Sequence, residues 1–181
     1  ALTANEISLL VKQYNSRWYL FGLDAKEERI KNLAFDRIQS IVHSDVAFIK
    51  NTSTDFNTYF EHVVGVTVPY ASEANLIELH LKFSPKRFRY VTTKPIHKSQ
   101  VTVSEEDCII SLHLYHTQEL EQQIFSFGPD VEVLSPAWFR EEFSKKIAEC
   151  FKFYFPMQNL CTDSADLCSR KQEVKPNPNC K

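Results

Sequence analysis

Tyr14-Asn15-Ser16-Arg17-Trp18-Tyr19-Leu20-Phe21-Gly22 decides how the first half of this 181-residue chain is read. Along an extended strand, side chains point alternately to opposite faces. From Val11 to Leu23, Arg17, Tyr19 and Phe21 therefore share one face, and Trp18, Leu20 and Gly22 the other. A charged connection, Asp24-Ala25-Lys26-Glu27-Glu28-Arg29, leads to a second apolar-rich run, Ile30 to Ile38. Two such runs joined by a short polar link read as a β-hairpin. In the second run Lys31, Leu33, Phe35 and Arg37 fall on one face, and Asn32, Ala34, Asp36 and Ile38 on the other. Outward from this hairpin, Leu2 to Leu23 holds two strands or one long bent strand, with Asn15-Ser16 as a turn. Lys31 to Ser44 reads as a strand that runs on into a short extended piece at Ile41-Val42. Several short strands in succession predict a small, strongly bent sheet or barrel.

Further along, Asp55 is placed to cap a short helix reaching about His62, with Gly65 as its stop. Val66 to Asn75 carries Pro69 and small polar residues and reads as the boundary between two domains. Leu76 to Phe83 then alternates, with Ile77, Leu79, Leu81 and Phe83 facing one way, which predicts a half-buried strand. Ser84-Pro85 caps a helix over Lys86 to Val91. Strands over Gln100 to Val103 and Cys108 to Tyr115 flank an acidic turn, Glu105-Glu106-Asp107, with Cys108, Ile110, Leu112 and Leu114 facing inward. Thr117 caps a helix through Phe127, stopped by Gly128, and Val131 to Leu134 is a short strand. Ser135-Pro136 opens a last helix with Trp138, Phe139, Phe143, Ile147 and Phe151 on its apolar side. The order is β-α-β-β-α-β followed by a helix, which is the ferredoxin-like plan.

Two stretches resemble a known family. Trp18-Tyr19-Leu20, with Phe35-Asp36-Arg37-Ile38 downstream, resembles a WYL domain. Phe125-Ser126-Phe127-Gly128-Pro129-Asp130-Val131-Glu132-Val133-Leu134-Ser135-Pro136 resembles the WCX-type C-terminal extension of bacterial WYL-domain transcriptional regulators. The resemblance implies an SH3- or Sm-like barrel for the first half and the ferredoxin-like plan for the second. Such barrels have a strand upstream of the Trp-Tyr-Leu strand, and this chain starts close enough to the motif that the barrel is expected to be incomplete there. The expected fold is thus α+β: a barrel domain at 1–65, a linker at 66–75, an extension at 76–155 and a disordered tail at 156–181.

Composition narrows the function classes. With 43% hydrophobic and 24% charged residues the chain is that of an ordinary globular protein. A net charge of −2 provides no global attraction to nucleic acid or anionic membranes, so an anion site must be local. Apolar runs fall short of the roughly 20 residues that a membrane span needs. The five cysteines form no Cys-x-x-Cys pair, which argues against a zinc ribbon and a disulfide framework and points to a reducing cytoplasm. Cys108 reads as a small buried hydrophobe. His113 and His116 point to opposite faces of a strand, and His80 with His113 lacks a third ligand, so no metal site is expected. With three glycines there is no phosphate-cradling loop, and no nucleophile motif occurs, so neither a cofactor nor an enzyme is expected.

What remains is a basic and aromatic set on the first hairpin: Arg17, Trp18, Tyr19, Arg29, Lys31 and Arg37. Arginine meets phosphate or carboxylate bidentately, and Trp or Tyr stacks a base or covers a cation. Solvated strand faces would carry the same residues, and Arg37 has a rival partner in Asp36. The resemblance implies a ligand role on the barrel for Arg37, and for Lys31, Tyr19 and Arg17 after it; Ala34 stands where many family members carry another Arg. The expected function is a ligand-sensing, oligomerising part of a bacterial transcriptional regulator, homodimeric and binding a nucleotide-like anion. DNA would be engaged only through a winged helix outside these residues. A free-standing single-stranded nucleic-acid binder and a truncated interaction module are the alternatives.

Overall fold

Asn15 and Ser16 are the two residues of a tight hairpin turn, both with positive φ, at 47° and 61°. That is the backbone of a type I′ turn, whose twist matches the strands it joins. The computed structural model describes residues 6–24, 27, 29–43, 54–70 and 74–155. Contacts divide the chain into two compact units, Ala1–Pro136 and Ala137–Lys181.

In the first unit the turn links β1 (Glu6–Tyr14) to β2 (Arg17–Asp24), and β2 pairs in turn with β3 (Arg29–Ala34). All pairings are antiparallel, in the order β1-β2-β3. The strand upstream of Trp18-Tyr19-Leu20, expected to be incomplete, is therefore a nine-residue strand. Closure into a barrel would need further strands, and the described residues hold none outside the second sheet.

β3 is shorter than its apolar pattern suggested. Phe35–Arg37 is a single 3₁₀ turn, closed by the Ile38 N–H donating to the Phe35 carbonyl at 3.2 Å. The ladder ends at the Tyr19–Ala34 pair, and the Arg17 guanidinium draws Asp36 across the strand end in an ion pair at 3.0 Å. Phe35 and Arg37 thus leave the strand face assigned to them. Ile41 and Val42 form no strand and are 87% and 82% exposed, and among the described residues no strand pairs with them.

α1 (Phe56–Tyr59) starts where the Asp55 side chain accepts from the Asn57 N–H. It is one turn long and ends well before Gly65. Phe56 and Phe60 set their rings against the buried Phe21 of β2, with Phe60 edge-on at 5.1 Å.

The second sheet follows its sequence pattern closely. β4 is Leu76–Phe83, and Ile77, Leu79, Leu81 and Phe83 are buried. α2 (Pro85–Thr93) is capped by Ser84, and β5 (Val101–Ser104) and β6 (Ile109–Tyr115) form the next hairpin. α3 (Gln118–Phe125) is capped by Thr117, and β7 is Val131–Ser135. The sheet is fully antiparallel, ordered β5-β6-β4-β7. Phe88 and Val91 from α2 and Leu120 and Ile124 from α3 are buried with the inward residues of β4 and β6. Cys108 is buried but lies in the turn before β6 at φ 60°, so it is not a strand residue. Gly128, at φ 57°, opens a 3₁₀ turn beyond α3 instead of stopping the helix directly. His113 stands opposite Glu78, and the ring beside it is His62 at 5.3 Å, not His80.

The second unit is described through α4 (Ala137–Tyr154), which begins after a cis Ser135–Pro136 bond, so neither residue lies inside the helix. Of the apolar side read from the sequence, Phe139 and Phe143 are buried, whereas Trp138, Ile147 and Phe151 are 38–51% exposed. The expected tail at 156–181 lies outside the described residues.

Two measurements probe this framework. Ser16 pays the usual cost of an L-residue at positive φ, so Ser16→Gly should stabilise the protein by up to about 1 kcal/mol in chemical denaturation. Asp130 accepts from the Ser84 hydroxyl at 2.7 Å and from Arg87 at 3.3 Å, tying the start of α2 to the turn before β7. The Ser84 hydrogen bond, then Arg87, hold the Asp130 carboxyl below its usual pKa. A depressed folded-state pKa stabilises above the unfolded value and loses that contribution as pH falls through the folded one. Asp130→Asn should therefore lower Tm at pH 7, with the gap to the wild type closing below about pH 4.

Candidate ligand-binding cleft

The first sheet, the crossing segment 62–70 and the start of α3 enclose a cleft of about 880 Å³. Its volume lies in the range of small-molecule sites. The crossing segment is held from both sides. From the first sheet, Lys12 Nζ donates to the Gly65 carbonyl at 2.8 Å, and Asn32 Nδ2 to the Val66 carbonyl at 2.9 Å. From the second, the Tyr115 N–H donates to the His62 carbonyl at 2.8 Å. On the α3 side, the Thr67 hydroxyl donates to Glu119 Oε1 at 2.5 Å. Val63, Val64 and Val66 are buried.

Gly65 sits at φ 101°, and a Cβ there would lie 3.0 Å from the Cβ and Cγ of Glu119 and 3.3 Å from the Tyr14 ring. Glycine is required for both conformation and clearance. Burial lowers the Lys12 pKa; its ammonium also lies 3.7 Å from the centre of the Phe60 ring.

Four of the six residues singled out in the sequence line the cleft: Arg17, Tyr19, Lys31 and Arg37. Strand alternation puts Arg17 and Tyr19 on the cleft side of β2, with Phe21 as floor. Trp18 lies on the opposite face, 48% exposed, and does not line the cleft. Arg29 is also outside the lining, and its guanidinium stacks on Tyr70, a lining residue, at 4.5 Å.

The cations differ in how they are balanced. Lys31 Nζ bonds Asp24 Oδ2 and Glu27 Oε1, and Asp24, then Glu27, raise its pKa. Arg29 pairs with Glu27. Arg17 takes Asp36, the carboxylate expected to compete for Arg37. Among the described residues Arg37 has no ion-pair partner, so it is the cleft's uncompensated cation.

Much of the remaining lining was not singled out from the sequence. It includes Tyr14, Tyr59 and Tyr70, and Gln118, Glu119 and Gln122 from the start of α3. Burial, reinforced by Glu119, raises the Tyr14 pKa, and burial, reinforced by Tyr70, raises that of Tyr59. Both phenols are thus neutral donors at physiological pH. The run Val63-Val64-Gly65-Val66, apolar around a single glycine, was the available signal that this segment is buried. Phenols, amides, one unpaired guanidinium and one carboxylate suit a polar, partly planar ligand with an anionic group.

Residues 75–150 match the WCX domain family. The resemblance drawn from Phe125 to Pro136 falls within this stretch. Among solved structures, proteasome accessory factor B/C (PafBC) of Arthrobacter aurescens is similar at 14% identity, with a TM-score of 0.32, over 76% of this chain. The match covers only 20% of that chain, and at this level the likeness adds nothing to the assignment. No curated protein matches in sequence. Among the described residues, no helix is long and apolar enough to cross a membrane.

Gly65→Ala should destabilise the first unit by at least about 2 kcal/mol, through backbone strain and the clash with Glu119. Urea unfolding measures it, and a change below 0.5 kcal/mol, an effect of about the size expected at a neutral surface site, would show that the crossing tolerates a side chain.

Proposed function

We propose that this WCX-domain protein is the ligand-sensing regulatory part of a bacterial transcriptional regulator, with a regulatory and not a catalytic role. The observation that carries the reading is the cleft. It sets Arg37, unpaired among the described residues, in one lining with Tyr14, Tyr19, Tyr59 and Tyr70. A guanidinium left unneutralised binds an anionic oxygen bidentately, and phenol rings stack on a planar group. The ligand in this reading is nucleotide-like. The WCX match supports the regulatory assignment.

The strand order β5-β6-β4-β7 with two crossing helices supports the ferredoxin-like plan for the extension. We take the first sheet as the core of an SH3-like barrel domain, with the domain boundary in 66–75. In this reading the protein acts in the cytoplasm as a homodimer. Ligand occupancy shifts the population of its arrangements, and a winged helix outside these residues reads that shift on DNA.

Thermal-shift titration with nucleoside monophosphates and short single-stranded oligonucleotides tests the cleft. Saturable stabilisation is expected, weakened about tenfold or more by Arg37→Ala, the loss of one charge-assisted contact. Unchanged affinity in an Arg37→Ala protein that melts like the wild type would remove Arg37 from the site, and no stabilisation by any probe would end the sensor reading.

A further inference from the structure

The cleft's lining joins unlike groups from the first sheet and from α3. On the sheet side, Arg17, Lys31 and the adjacent Arg29 are each matched by carboxylates, Asp36, Asp24 and Glu27, leaving Arg37 as the lining arginine or lysine without an ion-pair partner among the described residues. On the α3 side stands Glu119, flanked by Gln118 and Gln122. Thr67 engages Glu119 Oε1 and is its only hydrogen-bond partner among the described residues, so the second carboxylate oxygen is available to a donor. The Glu119 Cβ and Cγ would stand 3.0 Å from a Cβ added at Gly65, so the carboxylate rises from beside the crossing segment.

The charges at this site therefore nearly cancel. A second or third phosphate would find the other lining cations, Arg17 and Lys31, already paired and would meet the carboxylate of Glu119. Like charges without a counter-ion are repelled, and a paired cation gives up its partner at a cost. A single anionic group on Arg37 avoids both penalties. A carboxylate accepts hydrogen bonds and donates none, so Glu119 favours a ligand carrying an amino group.

We infer that the cleft selects a small ligand with one anionic group, held by Arg37, and a planar, amino-bearing head directed at Glu119, and that it rejects polyanions. The inference rests on the sensor reading above and narrows it: Glu119 is the residue that sets specificity. Ala34 fits the same picture, since it contributes no further cation to the strand.

Nucleoside 5′-monophosphates carrying adenine, cytosine or guanine have an exocyclic amine, and those carrying uracil or thymine lack one. Isothermal titration of the full chain would compare these, the triphosphate of the tightest base, and a ten-nucleotide single strand. The expected order is amino-bearing monophosphate over uracil or thymine monophosphate, with triphosphate and oligonucleotide weaker still. The expected salt dependence is shallow, with a slope near one, against the steep slope of a polyanion complex.

Glu119→Gln keeps the shape and the acceptor for Thr67 while removing the charge. It should bring the triphosphate to within a few-fold of the monophosphate and narrow the preference among bases, with an unchanged melting profile confirming the fold. A wild-type protein that binds the oligonucleotide or triphosphate more tightly overturns this inference and leaves the sensor reading standing. So does a base order that Glu119→Gln leaves unchanged. Binding of none of these probes removes both.

Discussion

Everything in the first unit depends on how closely the crossing segment passes α3 at Gly65. The chain must go from the first sheet to the second without leaving polar backbone stranded in a buried passage. Its carbonyls at His62, Gly65 and Val66 find donors from β6, β1 and β3 respectively. Buried backbone groups left unpaired would each cost one to several kcal/mol, so these three bonds permit the segment to be apolar and interior. The lysine that serves Gly65 is partly desolvated, and the Phe60 ring face compensates part of that loss. Sheet, crossing and helix are thereby one packed body, and the cleft is the space they leave between them.

The electrostatics of that body show restraint more than attraction. A basic hairpin suggests a surface made for polyanions, yet Arg17, Arg29 and Lys31 have their carboxylates within the same hairpin or its end turn. Exposed pairs of this kind contribute little to stability. Their larger effect is on the field: they cancel charge locally, so that Arg37 and Glu119 are the lining charges left without an ion-pair partner among the described residues. The 3₁₀ turn at Phe35–Arg37 produces this arrangement, because it sends Asp36 to Arg17 and leaves its neighbour unengaged.

The parts of the fold legible in the sequence were those fixed by local rules. β4 begins and ends where its alternation does, and Ser84, Asp55 and Thr117 each cap the helix that their side chains predict. The order of strands and helices in the second sheet followed from the same signals. The first half was harder. Period-two alternation continues through Phe35 and Ile38, and only the end of the β2 ladder shows that the strand stops at Ala34. Gly65 looked like a helix stop because sequence cannot distinguish a glycine needed for a C-cap from one needed for clearance against a helix fifty residues away. For the same reason the hairpin half of the cleft, Arg17, Tyr19, Lys31 and Arg37, was nameable in advance, whereas Tyr14, Tyr59 and Glu119 were not. Trp18, conspicuous in the motif, lies on the other face of its strand.

The lining of the cleft comes from three separate stretches, residues 14–37, 59–70 and 116–122. Each supplies only part of the site, and the hydrogen bonds from Asn32 to Val66 and from Thr67 to Glu119 tie the three together. The site is thus a non-local product of folding, and loop-closure entropy must be met before it exists. A molecule that binds there recognises the completed unit and has nothing to recognise in a partly folded chain. Occupancy then adds to the stability of the whole unit in proportion to the logarithm of ligand concentration, so the abundance of intact protein and the supply of its ligand become linked quantities.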